Sequence, residues 1–259
     1  MGVHRRLGSR MGKRQRMVVT DMKKKVLVTG SSQGIGKAIA AELCRAGYTV
    51  IVHGSKNIEK ARSVMREIGA HEAVVADLSD MNEVSELYKK TGDVDCLILN
   101  ASVQYKEKWD DISEENMDKQ LTVNVKSTLT LIQLYAPYMK ANGFGRIITI
   151  GSVNQYRQHP ELVFYSATKC AVMSMVKNIA KQLAPFGVTV NNVAPGAIAT
   201  PRNADVYNDD VKRQAVESVI PMGRFGVPED CTAAVRMLCS DEGAYITGTD
   251  ILIDGGMSL

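Results

Sequence analysis

The chain has 259 residues, 45% hydrophobic and 23% charged, which is enough apolar material to fill the core of one large α/β domain. No apolar run reaches the roughly 20 residues that a membrane span needs, so a soluble chain is expected. The formal net charge of +4 is concentrated in residues 1–21, where six Arg and Lys face only Asp21, leaving the rest near −1; that excludes the basic surface on which nucleic-acid binding depends.

Residues 1–22 lack the apolar centre of a secretory signal. Their composition also fits a transit peptide or a nucleic-acid arm. With Met11, Met17 and Met22 in frame just before a strand, they read best as a leader or disordered tail ahead of a single domain at 23–259. Five scattered cysteines, odd in number and without a C-x-x-C pair, give neither a disulfide framework nor a zinc site. Reduced, mostly buried thiols point to the cytoplasm, and Cys170 is assigned to packing. The four histidines have no ligand spacing, so no metal is expected.

A first strand over 25–30 feeds Thr29-Gly-Ser-Ser-Gln-Gly-Ile-Gly36, and an amphipathic helix over 35–46 follows. Strand, glycine loop and helix start together form a phosphate-binding arrangement: the glycines let backbone approach closely, and the helix N-terminus offers free N–H groups. A second strand over 49–53 leads into His53-Gly-Ser-Lys without the acid that would accept the ribose hydroxyls of NAD. Ser55 and Lys56 instead suit a 2′-phosphate, tilting the cofactor toward NADP over NAD. Gln33, standing where a basic residue would reinforce that tilt, keeps it modest.

A helix over 57–68 precedes a third strand over 72–77, ending in Asp77 and Leu78. The Asp77 carboxylate can take an adenine amine or cap the segment that follows. A fourth strand over 95–100 ends in Asn100-Ala-Ser-Val. Strands alternating with helices imply a parallel sheet covered on both faces, that is, a Rossmann-like, doubly wound α/β fold with seven strands. Ligands of such sheets bind at the carboxyl ends of the strands, where Gly30, Asp77, Asn100 and Ser152 all fall.

A long helical stretch over 113–140 holds Asn124 in an apolar middle, where an amide is costly unless hydrogen-bonded; it can buckle the helix around a water that also serves a catalytic lysine. A fifth strand over 145–151 leads to Ser152, whose hydroxyl can stabilise charge on a bound carbonyl oxygen or simply cap. Residues 163–186 read as one helix, with Tyr165 and Lys169 four apart on one face. A phenol titrates near pH 10. An adjacent ammonium lowers that pKa, making Tyr165 a candidate acid/base for hydride transfer at a carbinol carbon. A sixth strand over 188–193 breaks at Ala194-Pro-Gly, a polar lid spans 202–226, a helix runs from Pro228 to Leu238, and a seventh strand closes the sheet near 249–254.

Taken jointly, the glycine loop, Asp77-Leu78, Asn100-Ala-Ser102, Asn124, Ser152, Tyr165-x-x-x-Lys169, Pro195-Gly196 and Thr200 resemble the short-chain dehydrogenase/reductase family from Lys23 to the C-terminus. The resemblance implies a catalytic tetrad of Asn124, Ser152, Tyr165 and Lys169, with Lys169 lowering the tyrosine pKa and Asn124 supporting a proton relay. It implies nucleotide contacts at Gly30, Ser32, Gln33, Gly34, Ile35 and Gly36, then at Ser55, Asp77 and Leu78, and then at Asn100 and Ala101. Nicotinamide-side contacts are implied at Tyr165, Lys169, Pro195, Gly196, Ile198 and Thr200.

Where Ser102 stands the family usually has glycine, which would alter the turn beneath the cofactor. Residues 245–256 resemble 3-oxoacyl-carrier-protein reductases, whereas 192–203, 216–223 and 254–259 resemble glucose 1-dehydrogenase-like sugar dehydrogenases. Asn154, Gln155 and His159 are expected to line a polar substrate pocket, and Arg202 is read as a solvated surface residue more than as an anion ligand. The expected protein is an NAD(P)-dependent oxidoreductase for a sugar, polyol or 3-oxoacyl substrate, a homotetramer with neither nucleic-acid nor membrane partner. The rival is a catalytically quiet nucleotide sensor or scaffold on the same fold.

Overall fold

Strands of a parallel sheet covered on both faces are apolar throughout rather than in alternation. The computed structural model describes residues 23–259, so the basic leader lies outside the described residues. The described residues form seven strands, of which the central ones come nearest to that pattern: β1 Lys25–Val28, β2 Thr49–Gly54, β3 Glu72–Val75, β4 Cys96–Leu99, β5 Gly145–Ile150, β6 Val188–Pro195 and β7 Asp250–Ile253. They pair in parallel in the order β3-β2-β1-β4-β5-β6-β7. The winding reverses between β1 and β4, which opens a crevice at their carboxyl ends.

The connecting helices are α1 Gly34–Arg45, α2 Ile58–Ile68, α3 Met81–Thr91, α4 Glu114–Gln120, α5 Ser127–Asn142 and α6 Val163–Leu183, then α7 Ala204–Tyr207 and α8 Asp210–Glu217 in the lid, and α9 Thr232–Cys239. Successive strand residues face opposite sides of the sheet. Leu27, Ile51, Leu97, Ile147 and Val190 therefore pack on α3, α5 and α6 through Leu87, Tyr135, Met139 and Val176. Val28, Val50, Ile98, Ile148 and Val193 pack on α1 and α9 through Ile39, Leu43, Val235 and Leu238. Fully burying each such side chain contributes about 1.5–3 kcal/mol, so two closed layers hold the crevice rigid from either side. No helix among the described residues is long and apolar enough to cross a membrane.

Element ends differ from expectation where tertiary pairing decides them. β6 continues through Ala194 to Pro195 because Pro195 pairs with Ile253 and the Gly196 N–H donates to the Ile253 carbonyl at 2.9 Å. β3 stops at Val75, leaving Asp77 in the following turn. The helix expected from Pro228 starts as a 3-10 turn, Pro228–Cys231, before α9. The stretch over 113–140 is split by a π turn, Leu121–Lys126, a form that inserts one extra residue and recurs at functional sites. Asn124 sits at its centre. Of the thiols, Cys96, Cys231 and Cys239 are buried, but Cys170 is exposed, so it has no packing role in the core.

Candidate active site

Asn57, Asp80 and Ser113 cap α2, α3 and α4 with their side chains, each accepting an N–H of the first turn. At α1 the capping position is Gln33, whose side chain makes no such bond. The first-turn N–H groups of α1 are left for a ligand, and the helix dipole favours an anion there. Gly30 has φ +63°. A Cβ on Gly36 would fall inside contact distance of Asn100 Nδ2 and the Gly30 carbonyl; only glycine brings α1 so close to the end of β4. Asn100 Nδ2 donates to the carbonyls of Thr29 and Gly30 at 2.9 and 3.1 Å, tying the loop to β4.

The loop is also held by a residue that sequence reasoning passed over. His53 at the end of β2 accepts the Gly30 N–H on Nδ1 at 3.0 Å, and its Nε2 lies 3.1 Å from the Ala76 carbonyl. Those partners require the neutral tautomer with the proton on Nε2. Burial pushes its pKa down to about 4, so the bridge from β1 to the β3 turn persists at neutral pH. The only sequence signal was a polar residue ending an apolar strand.

Ser55, Lys56 and Asp77 follow along the crevice. Burial raises the Asp77 carboxyl, but the Ser79 hydroxyl and N–H and the Lys56 ammonium, 3.1 Å away, outweigh it and hold it below its ordinary value. Asp77 thus holds the turn at Ser79 while lining the cavity; the helix that follows is capped by Asp80 instead. Gln33 does not stand alone either: the Lys60 ammonium of α2 donates to its side-chain carbonyl. A second cation therefore reaches the loop, from 27 residues further along the chain.

These groups open on one cavity of about 580 Å³. Every residue assigned above to nucleotide or nicotinamide contact lines it, from Gly30 to Thr200, as do Ser152, Tyr165 and Lys169. Asn124 does not. Its amide is buried, accepting from the Val103 N–H and donating to the Val103 carbonyl, each at 2.9 Å, and to Thr168 Oγ1 at 3.1 Å. It pins the loop following β4 to α6 from behind. The polar pocket between Ser152 and Tyr165 is also smaller than expected: Asn154 and His159 line it, but Gln155 turns away to bond the Ser152 N–H and Asp250.

Tyr165 and Lys169 share a face of α6, yet the coupling differs from the simple expectation. Lys169 Nζ donates to the Ile150 carbonyl at 2.8 Å and lies 5.6 Å from the centre of the Tyr165 ring. Burial, helped by the Arg202 charge, pushes the lysine down to about 7. Burial likewise raises Tyr165; what opposes it is the Arg202 guanidinium together with hydrogen bonding to Ser152, Ser102 and Arg202, and burial prevails. A lysine committed to a main-chain carbonyl and half-neutral near pH 7 does not lower the phenol by itself. Ser152 Oγ also accepts the Asn154 N–H at 3.2 Å, so cap and cavity roles coincide there.

Arg202 is the other correction. It is exposed, as expected of a surface residue, but it is not without partners: Nη1 donates to Ser102 Oγ at 3.1 Å and Nη2 to the Ser102 carbonyl at 2.6 Å. Ser102, the departure from the family glycine, thus holds the lid arginine over Tyr165 rather than merely reshaping a turn.

A family model described as enoyl-(acyl carrier protein) reductase matches residues 30–258. The 3-oxoacyl-[acyl-carrier-protein] reductase FabG of Aquifex aeolicus is 38% identical over 240 residues, covering 89% of this chain and 96% of the relative. Among solved structures, an NADP-bound 3-oxoacyl (acyl-carrier-protein) reductase from Agrobacterium tumefaciens C58 is similar with TM-score 0.86 and 35% identity, covering 90% of this chain and 93% of that one. A gluconate 5-dehydrogenase from Burkholderia cenocepacia J2315, in complex with NADP and tartrate, gives 0.84 and 29%, covering 91% and 95%.

Proposed function

The chain belongs to the short-chain dehydrogenase/reductase family and is an NAD(P)-dependent oxidoreductase, and from that premise we propose how its residues divide the work. The reaction interconverts a secondary alcohol and a ketone, with a 3-oxoacyl compound, sugar or polyol as substrate. The observation that carries this reading is one cavity with a glycine loop and uncapped helix at one end and the Ser152 and Tyr165 hydroxyls at the other.

The pyrophosphate would lie against Gly30–Gly36 and the start of α1, the adenine side against Asp77 and Leu78, and the nicotinamide side against Pro195, Gly196, Ile198 and Thr200. When bound, the nicotinamide supplies or accepts the hydride. In the reducing direction Ser152 donates a hydrogen bond to the carbonyl oxygen as charge builds on it. Tyr165 gives that oxygen its proton, becoming a phenolate that Arg202 and the two serine hydroxyls stabilise. Lys169, titrating near neutrality, returns a proton to the tyrosine, and Asn124 acts as a positioning residue behind α6.

NADP is the cofactor this proposal favours, read by Ser55, Lys56 and Lys60. Replacing Lys56 and Lys60 by alanine is expected to raise KM for NADPH about 10-fold, as loss of a charged hydrogen bond does, with NADH changing far less; an equal loss for both would show that these lysines do not read the 2′ position. Reduced thiols and a cytoplasmic site belong to the same proposal. So does a homotetramer, for which the exposed Leu252 on the edge strand β7 provides a surface.

The direct test follows nicotinamide absorbance with NADPH or NADH against 3-oxoacyl thioesters, keto acids, sugars and polyols. Turnover of any of these supports the reading and identifies the branch. Tight cofactor binding with no turnover would favour the nucleotide-sensing alternative instead.

A further inference from the structure

The charges lining the cavity are distributed unevenly. Asp77 is the one acidic residue among its described lining residues, and it sits at the adenine end. The reacting end is bordered by Lys106, Lys119, Lys169 and Arg202. Two of these have partners in the protein: Lys106 pairs with Asp205 at 2.8 Å, and Lys169 donates to Ile150. Arg202 has no carboxylate partner among the described residues; it donates twice to Ser102 and borders the Tyr165 hydroxyl, which leaves N–H groups of its fork unused. A guanidinium carries five N–H donors in a planar fork that matches a carboxylate two-fold.

We propose that the substrate carries a carboxylate and that Arg202, aimed by Ser102, is the residue that holds it. This rests on the oxidoreductase reading above and deepens it. Arg202 adjoins Tyr165 closely enough to act on its hydroxyl, so the acid group lies within a few bonds of the reacting carbonyl. Asn154, His159 and Gln104 add polar groups to this lining, beside apolar Leu162, Val206, Val216 and Phe225. Ser102 has two functions in this arrangement. Its carbonyl and hydroxyl fix the fork, and its Cβ, absent from the glycine usual in the family, supplies the hydroxyl that reaches it.

The test pairs oxo acids with their methyl esters under NADPH. The wild type is expected to prefer acid over ester by about 30-fold in kcat/KM, the scale of a charge-assisted hydrogen-bond pair. In Arg202→Met that ratio collapses toward one, mainly through KM for the acid, and Arg202→Lys restores part of it. A fluorescence titration with NADPH reports cofactor binding separately. Esters turned over as well as acids by the wild type would overturn the carboxylate assignment and leave the oxidoreductase reading standing. So would a ratio unmoved in Arg202→Met, which would make Arg202 a latch on the lid, or Arg202 dependence confined to phosphopantetheine thioesters. Absence of any turnover while NADPH binds would overturn both.

Discussion

Tyr165→Phe is expected to lower kcat by about 10³-fold, within the range that general acid–base catalysis supplies, while NADPH still quenches or shifts fluorescence at nearly the wild-type concentration. The substitution keeps the ring, which is 4% exposed and packed in α6, so the fold has no reason to change. What disappears is the one hydroxyl around which Ser152, Ser102 and Arg202 gather. The raised pKa of the phenol makes the direction clear: near neutral pH Tyr165 holds its proton and is ready to donate, as reduction of a ketone requires. Steady-state absorbance at fixed saturating cofactor, with a separate binding titration, checks both halves. A rate within 10-fold of wild type would mean that the proton reaches the substrate by another route, of which Lys169 is the nearest.

Much of this architecture was legible in the sequence because it is local. Runs such as Cys96–Leu99 are apolar over their whole length, which only a sheet covered on both faces allows. Gly30, Asn100 and Ser152 each end a strand, so a parallel topology necessarily gathers them at one edge. The residues that escaped are those whose partners are far along the chain. Nothing near Arg202 indicates that Ser102, 100 residues away, receives it. Nothing near Lys60 shows that α2 returns to the Gln33 loop, and a buried histidine bridging two turns looks, in sequence, like any polar strand end. Gln155 failed in the opposite sense, since its position beside Ser152 suggested the pocket while its bonds to Asp250 and the Ser152 N–H point it into β7 and its own turn. The tyrosine–lysine pair is the instructive case. Helical spacing placed both side chains correctly, but which atom the ammonium satisfies depends on the Ile150 carbonyl at the end of β5, and spacing alone carries no information on that.

Lys169→Met separates catalysis from stability. Activity is expected to fall about 100-fold or more, as for loss of a positioned proton-transfer group, yet below neutral pH the variant should be the more stable protein. Folding takes the ammonium from 10.5 to about 7, a cost of about 5 kcal/mol where both states are protonated. Between about pH 7 and 10.5 the unfolded chain binds the proton that the folded one has released, so stability rises with pH there and the penalty fades. Methionine removes the buried charge but leaves the Ile150 carbonyl without its donor, a loss of about 1–3 kcal/mol. At pH 6 the first effect wins by about 2–4 kcal/mol, and Tm should rise by roughly 4–16 °C, given about 2–4 °C per kcal/mol for a chain near this size. At pH 9.5 the lysine is already neutral in the folded protein, most of its advantage as a removable charge is gone, and the lost hydrogen bond should bring the two melting curves together or reverse them. Melting both proteins across that range decides the matter: a Tm difference that does not change with pH would mean that Lys169 is no buried, titrating amine, and the proton-return role assigned to it would go with it.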